Sequence, residues 1–288
     1  MSQFTNYGEN AIAEYLRGQG RPSYPTNWYF APGSAGDDSG ITELTSVGLS
    51  RVAKARSLAN FAGTQGTGTT VASTGTSKTT SNNNAISFGT PTGSGTLTHV
   101  GVFDASSSGN CWMWIPVTNV AFTSGSPSPL QIATGAMQLT LGVAGGASNF
   151  LVNSLIDDIF RGQSYSLPSS YWLTYYTAAP TDAGGGTEVA AGSYARAELV
   201  ASRTNLSGTQ SAGSTSASSG TGGRVSNNIA IAHPAPTADQ GTIVATGVQD
   251  ASTTGNLLWW KLAGTPFSLP TGSPAPTYAA DALGFTIA

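Results

Sequence analysis

The chain has 288 residues, 39% of them hydrophobic and only 9% charged, with a net charge of −3 and eleven Lys and Arg that form no run. Six Trp, ten Tyr and ten Phe exclude a disordered chain, and the lack of a basic stripe excludes a nucleic-acid binder. So few charges cannot solvate long exposed helices, whereas Thr and Ser coat the wet face of a sheet well, so the composition predicts a mainly all-β protein.

In chain order, the N-terminal MSQF lacks the charged and apolar parts of a signal peptide. No apolar run approaches the roughly 20 residues that span a bilayer. The expectation is a chain made and assembled in cytoplasm, with no membrane attachment. The first element is a short helix, with Ile12, Tyr15 and Leu16 on one face and Gly18 suited to its end. An aromatic strand follows at 28–30, and then Glu43 with Arg51 eight residues on. Residues 63–80 are almost wholly Gly, Ser, Thr, Ala and Gln, a composition that cannot drive burial and suits a long surface loop. The sharper alternative is an arm that crosses a neighbouring subunit and orders only in an assembly. Short strands are expected at 85–88 and around Gly101 and Val102. A polar hairpin loop carries Asp104, Gly109 and Asn110, and a Pro-rich loop precedes a last short strand.

Then the same order begins again. A second helical pattern places Leu151, Leu155, Ile156, Ile159 and Phe160 on one face, with Asn149 or Asn153 as candidate caps and Gly162 at the end. GTLTHVGVFDASSSGNCWMW at 95–114 faces GTIVATGVQDASTTGNLLWW at 241–260, and ten of the twenty positions are identical without a gap. The flanks match in order. Leu16 to Gln19 faces Phe160 to Gln163, Trp28 and Tyr29 face Tyr171 and Trp172, and Glu43 with Arg51 faces Glu188 with Arg196. A second Gly/Ser/Thr stretch at 208–223 sits in the same place as the first. The chain therefore reads as a tandem duplication, with a first β-rich repeat at 1–142, a joint at 143–148 and a second repeat at 149–288. Each repeat is expected to be a compact β-sandwich or barrel-like domain with one short N-terminal helix that packs on a sheet.

Candidate chemistry is sparse. His99 faces Ala245 and His233 faces Phe88 between the repeats, so neither histidine marks a shared site. Cys111 is the only cysteine, which rules out an intrachain disulfide and a Cys-built zinc site. Asp104 and Asp250 are shared; a carboxylate in a Ser/Thr-rich loop invites a hydrolase or calcium reading, but Asp, Gly and Asn at these offsets are turn formers, and the turn reading is preferred. Glu43 with Arg51, and Glu188 with Arg196, read as structural ion pairs in preference to half of an acid/base site. Trp114 and Trp260 are expected in the core. Trp112 and Trp259 alternate with them and are expected to face outward, where with Tyr171 and Trp172 they are candidate subunit contacts or sugar-stacking platforms. No serine-nucleophile, P-loop or dinucleotide motif is present. The expectation is a protein that is not an enzyme and has no cofactor, catalytic residue or metal site.

The repeat unit resembles a family of small tailed-phage virion proteins, often labelled phage tail fiber protein. The second repeat carries the resemblance in Arg161-Gly162, Ala179-Pro180 with Asp182, Gly185 with Glu188, Gly192 with Tyr194 and Arg196, and the GNLL at 255–258. The first repeat is degraded: Arg51 lacks the Tyr before it, and Cys111 and Trp112 replace Leu-Leu. The resemblance implies a structural virion component that self-associates and binds the major capsid protein or other virion proteins. Neither coiled-coil heptads nor shaft repeats are present. Capsid decoration is therefore the preferred reading, with a tail or tail-fibre surface protein, which would also bind host glycans, as the alternative. A glycan-degrading enzyme using Glu188 is a further rival.

Overall fold

The computed structural model describes residues 3–141 and 146–287, and their elements form two series in one order. The first comprises α1 (Asn6–Leu16), β1 (Asn27–Asp37), β2 (Gly40–Glu43), β3 (Val52–Ala55), β4 (Thr79–Ser81), β5 (Ile86–Gly89), β6 (Gly95–Phe103), β7 (Cys111–Phe122), β8 (Leu130–Ile132) and β9 (Gln138–Thr140). The second comprises α2 (Asn149–Phe160), β10 (Ser170–Ala178), β11 (Thr187–Glu188), β12 (Ala197–Val200), β13 (Arg224–Ser226), β14 (Ile231–Ala232), β15 (Thr242–Gln249), β16 (Leu257–Ser268), β17 (Thr277–Tyr278) and β18 (Gly284–Thr286). Apart from a 3-10 turn at Thr45–Val47, each element of one series has a counterpart in the other. The protein is mainly β, with two tandem repeats and one helix opening each.

Each repeat is built on a five-stranded antiparallel sheet, in the order β2-β1-β6-β7 with β3 also on β1, and β11-β10-β15-β16 with β12 also on β10. Two-stranded ribbons, β4–β9 and β5–β8, then β13–β18 and β14–β17, tie the end of each repeat to the segment after its Gly/Ser stretch. Cross-strand partners share a face, so Phe30, Val102 and Met113 line one side of the first sheet, with Val100 and Ile115 beside them. All five are fully buried.

Strict alternation along β7 and β16 fails near the start of each strand, and this corrects the outward placement of the tryptophans. Val102 pairs with Met113 and Phe103 with Cys111, so Trp112 is an extra residue in a β-bulge. Val248 pairs with Trp259 and Gln249 with Leu257, so Leu258 is its counterpart. A bulge turns two consecutive side chains to one side. Trp112 and Met113 are both buried, as are Leu258 and Trp259, while Trp114 and Trp260 are half-buried. Tyr171 is buried as well and Trp172 half-buried, so three of the four candidate contact aromatics serve the interior.

The helices start where a hydroxyl caps them. Thr5 Oγ1 accepts from the Gly8 N–H and Ser148 Oγ from the Leu151 N–H. The cap of α2 is thus Ser148, not Asn149 or Asn153. Both helices end at glycines with φ near +70°, Gly18 and Gly162. A Cβ there would lie 2.4 Å from the Ala201 carbonyl oxygen and 2.8 Å from that of Arg56, atoms of the other repeat in each case. The residues just before each helix extend the sheet edge: Thr5 N–H donates to Trp112 O (3.0 Å) and Ser148 N–H to Leu258 O (2.9 Å). Of the joint expected at 143–148, residues 143–145 lie outside the described residues, and 146–148 belong structurally to the second repeat.

One apolar cluster runs through both repeats, from Phe4, Ile12 and Trp28 to Trp259, Phe285 and Ile287. Ile12 and Leu16 of α1, Leu155 and Ile159 of α2, and Trp259 leave a cavity of only about 20 Å³ between them. The repeats are therefore two halves of one core, closed by helices that reach across.

Candidate functional site

The residues that join the repeats form the most elaborate polar arrangement in the molecule, and it is doubled. Arg161, at the end of α2, is fully buried and threads into the 63–80 stretch of the first repeat. Its Nε donates to Phe61 O (3.0 Å), Nη1 to Ser73 Oγ (3.0 Å), and Nη2 to Val71 O (2.5 Å) and Thr69 O (3.3 Å). Asp157, one turn back, takes Arg161 Nη1 at 2.5 Å and both the N–H and Oγ–H of Ser73. Arg17, at the end of α1, is also fully buried and does the same in the second repeat. Its Nε donates to Leu206 O (2.9 Å), Nη1 to Ser216 O (2.8 Å) and Nη2 to Ser214 O (3.2 Å), with Glu14 in the place of Asp157.

A second pair of contacts repeats the pattern higher on each helix. Asn153 accepts from Thr64 Oγ1 (2.6 Å) and donates to Gly75 O (3.1 Å), while Gly75 N–H donates back to Thr64 Oγ1. Asn10 likewise accepts from Thr209 Oγ1 and donates to Gly220 O, and Gly220 N–H donates to Thr209 Oγ1. Aromatic residues complete the exchange: Trp28 Nε1 donates to Ile159 O and the Tyr171 hydroxyl to Leu16 O, both at 2.9 Å. The Gly/Ser stretches are thus arms that order against a neighbour, and the neighbour is the other half of the same chain. Low apolar content is offset here by guanidinium and amide donors, which satisfy the carbonyls of an otherwise coreless loop.

The charges singled out by the repeat comparison form a second doubled motif. Arg51 grips Glu43 through Nε and Nη2 at 3.0 and 2.6 Å and holds the carbonyls of Ala105 and Ser108 with Nη1, at 2.7 Å each. Arg196 grips Glu188 at 2.9 and 2.7 Å and holds Ala251 O and Thr254 O at 2.6 Å. Asp104 and Asp250 sit inside those loops, each accepting the backbone and side-chain N–H groups of Asn110 or Asn256 at 2.7 and 2.8 Å. Each arginine therefore ties a strand-borne glutamate to an Asx-type loop. Both oxygens of each carboxylate are occupied, which leaves no carboxylate pair facing a common space.

The remaining reactive groups are muffled. Burial pushes the Cys111 thiol up to about 12, where it is neither nucleophile nor ligand at neutral pH. Burial pushes His233 down to about 4; its ring stacks on Tyr175 at 4.1 Å and its Nδ1 lies 3.2 Å from Ala195 O. His99 shares a 2.7 Å contact with the neighbouring Thr98 hydroxyl. Among the described residues no three His, Cys, Asp or Glu side chains gather as a metal site, and no helix is long and apolar enough to cross a membrane.

Sequence reasoning aligned Arg17 with Arg161 but assigned them no role, and it missed Asn10. The available signal was that an asparagine recurs seven residues before Arg17 and eight before Arg161, on the helix that opens each repeat.

Comparison with known proteins places these repeats. No curated protein matches the chain. The family model described as podophage GP4 fiber I protein gp80 matches twice in tandem, over residues 3–140 and 146–286. The two matches coincide with the two series of elements and cover almost the whole chain, which belongs to this podophage fiber I family and is accordingly a structural component of a phage virion.

Proposed function

We propose that the chain is a non-enzymatic building block of the tail fibre, or of the tail surface that carries it, and acts by presenting a rigid two-repeat body to other virion proteins. The observation that carries this is the double match to a fibre family over both repeats. It favours the tail over the head-decoration role expected from the absence of shaft repeats. The geometry supports a structural role in its own way. The shared charges are consumed in holding loops, the arms are consumed in holding the repeats together, and burial favours the neutral forms of the half-buried Cys111 and the buried His233. Eight of the eleven Lys and Arg are in ion pairs, and Lys54 and Arg56 hold backbone carbonyls. That leaves little free positive charge for nucleic acid.

The test is the copy number of the protein in purified particles relative to the major capsid protein, by quantitative mass spectrometry, with antibody labelling under the electron microscope. A small number set by tail symmetry, with label at the tail, is expected. A ratio near a simple fraction of the capsid protein, with label over the head, would restore decoration. Absence from particles would overturn both.

A further inference from the structure

The two repeats differ at one place on the same face of the same sheet. In the first, Pro32, Val100 and Ile115 lie side by side across β1, β6 and β7, all buried, with Leu130 and Ile132 also buried nearby in sequence order. At the matching register of the second repeat stand Tyr175, Thr246 and Lys261, and Ile132 is matched by Tyr278. Thr246 is half-buried and Lys261 exposed, and the site opens into a groove of about 930 Å³. Its walls include Tyr175, Trp259, Phe267 and Tyr278, with Thr246, Thr265 and Thr277 among them. Where one repeat is filled and dry, its twin is open and mixed.

Three observations bear on what fills it. The groove has the size of a small-ligand site. Lys261 is the single charged residue in its lining, and among the described residues it is the one Lys or Arg without a hydrogen-bond or ion-pair partner. Phe267, 37% exposed, presents an apolar ring to the groove. In a chain that spends every other cation internally, an unpaired lysine in a concave aromatic wall is arranged for an anion that also has flat apolar faces. A peptide strand would need a regular sheet edge. Here β16 departs from register, with four residues, 263–266, against the single Val244 of β15 between the Ala245–Leu262 and Ile243–Phe267 pairs, which blunts the edge.

We propose that the groove of the second repeat binds a carboxylate-bearing saccharide, such as a uronic or sialic acid unit of a surface glycan. Lys261 takes the carboxylate, the exposed ring of Phe267 and the half-buried Tyr278 stack on the pyranose faces, and the threonine hydroxyls hydrogen-bond its hydroxyls. The first repeat, closed by Val100 and Ile115, binds none. This rests on the reading of the protein as a surface component of the particle and names what that surface touches.

The test is binding of the full-length protein to a panel of uronate- and sialate-terminated oligosaccharides, their neutral counterparts and a Glu-rich hexapeptide, followed by calorimetry on the best binder. Lys261→Gln is expected to weaken carboxylated binders roughly tenfold or more and to abolish the preference over neutral sugars. Thr246→Val with Lys261→Ile, which copies the first repeat, is expected to abolish binding while the melting transition holds or rises. Binding to no glycan, binding indifferent to Lys261, or binding of the acidic peptide alone would overturn the proposal. Failure here with the protein still present on particle tails leaves the fibre reading intact, whereas absence from particles removes that reading whatever the glycan result.

Discussion

Replacing Arg161 by Met should loosen a loop in the other repeat and leave the loop of its own repeat unchanged. Arg161 lies in the second repeat, yet its donors hold Phe61, Thr69, Val71 and Ser73 of the first. Removing it leaves the Asp157 carboxylate, with a side chain 11% exposed, facing only Ser73. Breaking one partner of a buried pair costs about 3–5 kcal/mol. Ser73 offsets part of that, and the exposed Val71 carbonyl regains water, so a loss of roughly 3 kcal/mol is expected. Hydrogen–deuterium exchange read by mass spectrometry gives the location as well as the size. Peptides covering 61–80 should lose protection in Arg161→Met, while those covering 206–226 keep it. Arg17→Met should give the mirror image, deprotecting 206–226 and sparing 61–80. Deprotection of the loop in the mutated residue's own repeat, or of neither loop, would refute the crossed arrangement.

Three other outcomes follow from the same geometry. Coexpressed as separate chains cut at the joint, the repeats should copurify one to one, and either alone should bind a hydrophobic dye, because each lacks half of the shared core; stable, monodisperse single repeats would contradict this. His233 is neutral in the folded state, with a value of about 4 against 6.5 when exposed, so its contribution is complete above pH 6.5 and is lost as pH falls toward 4, up to about 3 kcal/mol. His233→Phe, which copies Phe88, should flatten denaturant midpoints over that window relative to the parent, and an unchanged slope would show that His233 is not the group responsible. Glu188→Gln should lower stability by roughly 1 kcal/mol by weakening the grip on Arg196, and protection of the 250–256 loop should fall with it; a fully protected loop would mean that Glu188 is dispensable there.

The duplication, the two helices and most strands were legible because each leaves a local signal: an apolar stripe ended by Gly18 or Gly162, or an aromatic run such as 171–176. The far half of strand β16, up to Ser268, left no such signal, because it is exposed and carries no alternation to read. Trp112 and Trp259 were misplaced because alternation assumes an unbroken ladder, and the bulges at Trp112 and Leu258 are set by pairing with β6 and β15, which no single strand encodes. The arms were hardest. A Gly/Ser run looks the same whether solvated or gripped, and what grips it lies about 90 to 200 residues away, in Arg161 and Arg17.

The crossed side-chain grips also explain why the repeats differ where they do. Two identical units gripping each other's arms would make every substitution twice, once in each half. Fusion lifts that constraint away from the joint while leaving it in force at the joint. The residues of the exchange accordingly match across the repeats: Asn10 with Asn153, Arg17 with Arg161, Thr64 with Thr209, Ser73 with Ser218 and Gly75 with Gly220. Each pair makes corresponding contacts. Divergence is free on the far half of the sheet and at the small ribbon of each repeat, where Val100, Ile115 and Phe88 of one repeat face Thr246, Lys261 and His233 of the other. One half can then keep a dry core and hold the body rigid, while the other opens a groove whose lining costs it apolar burial. The two buried arginines that join the repeats lie outside that groove, so its opening leaves their grip in place.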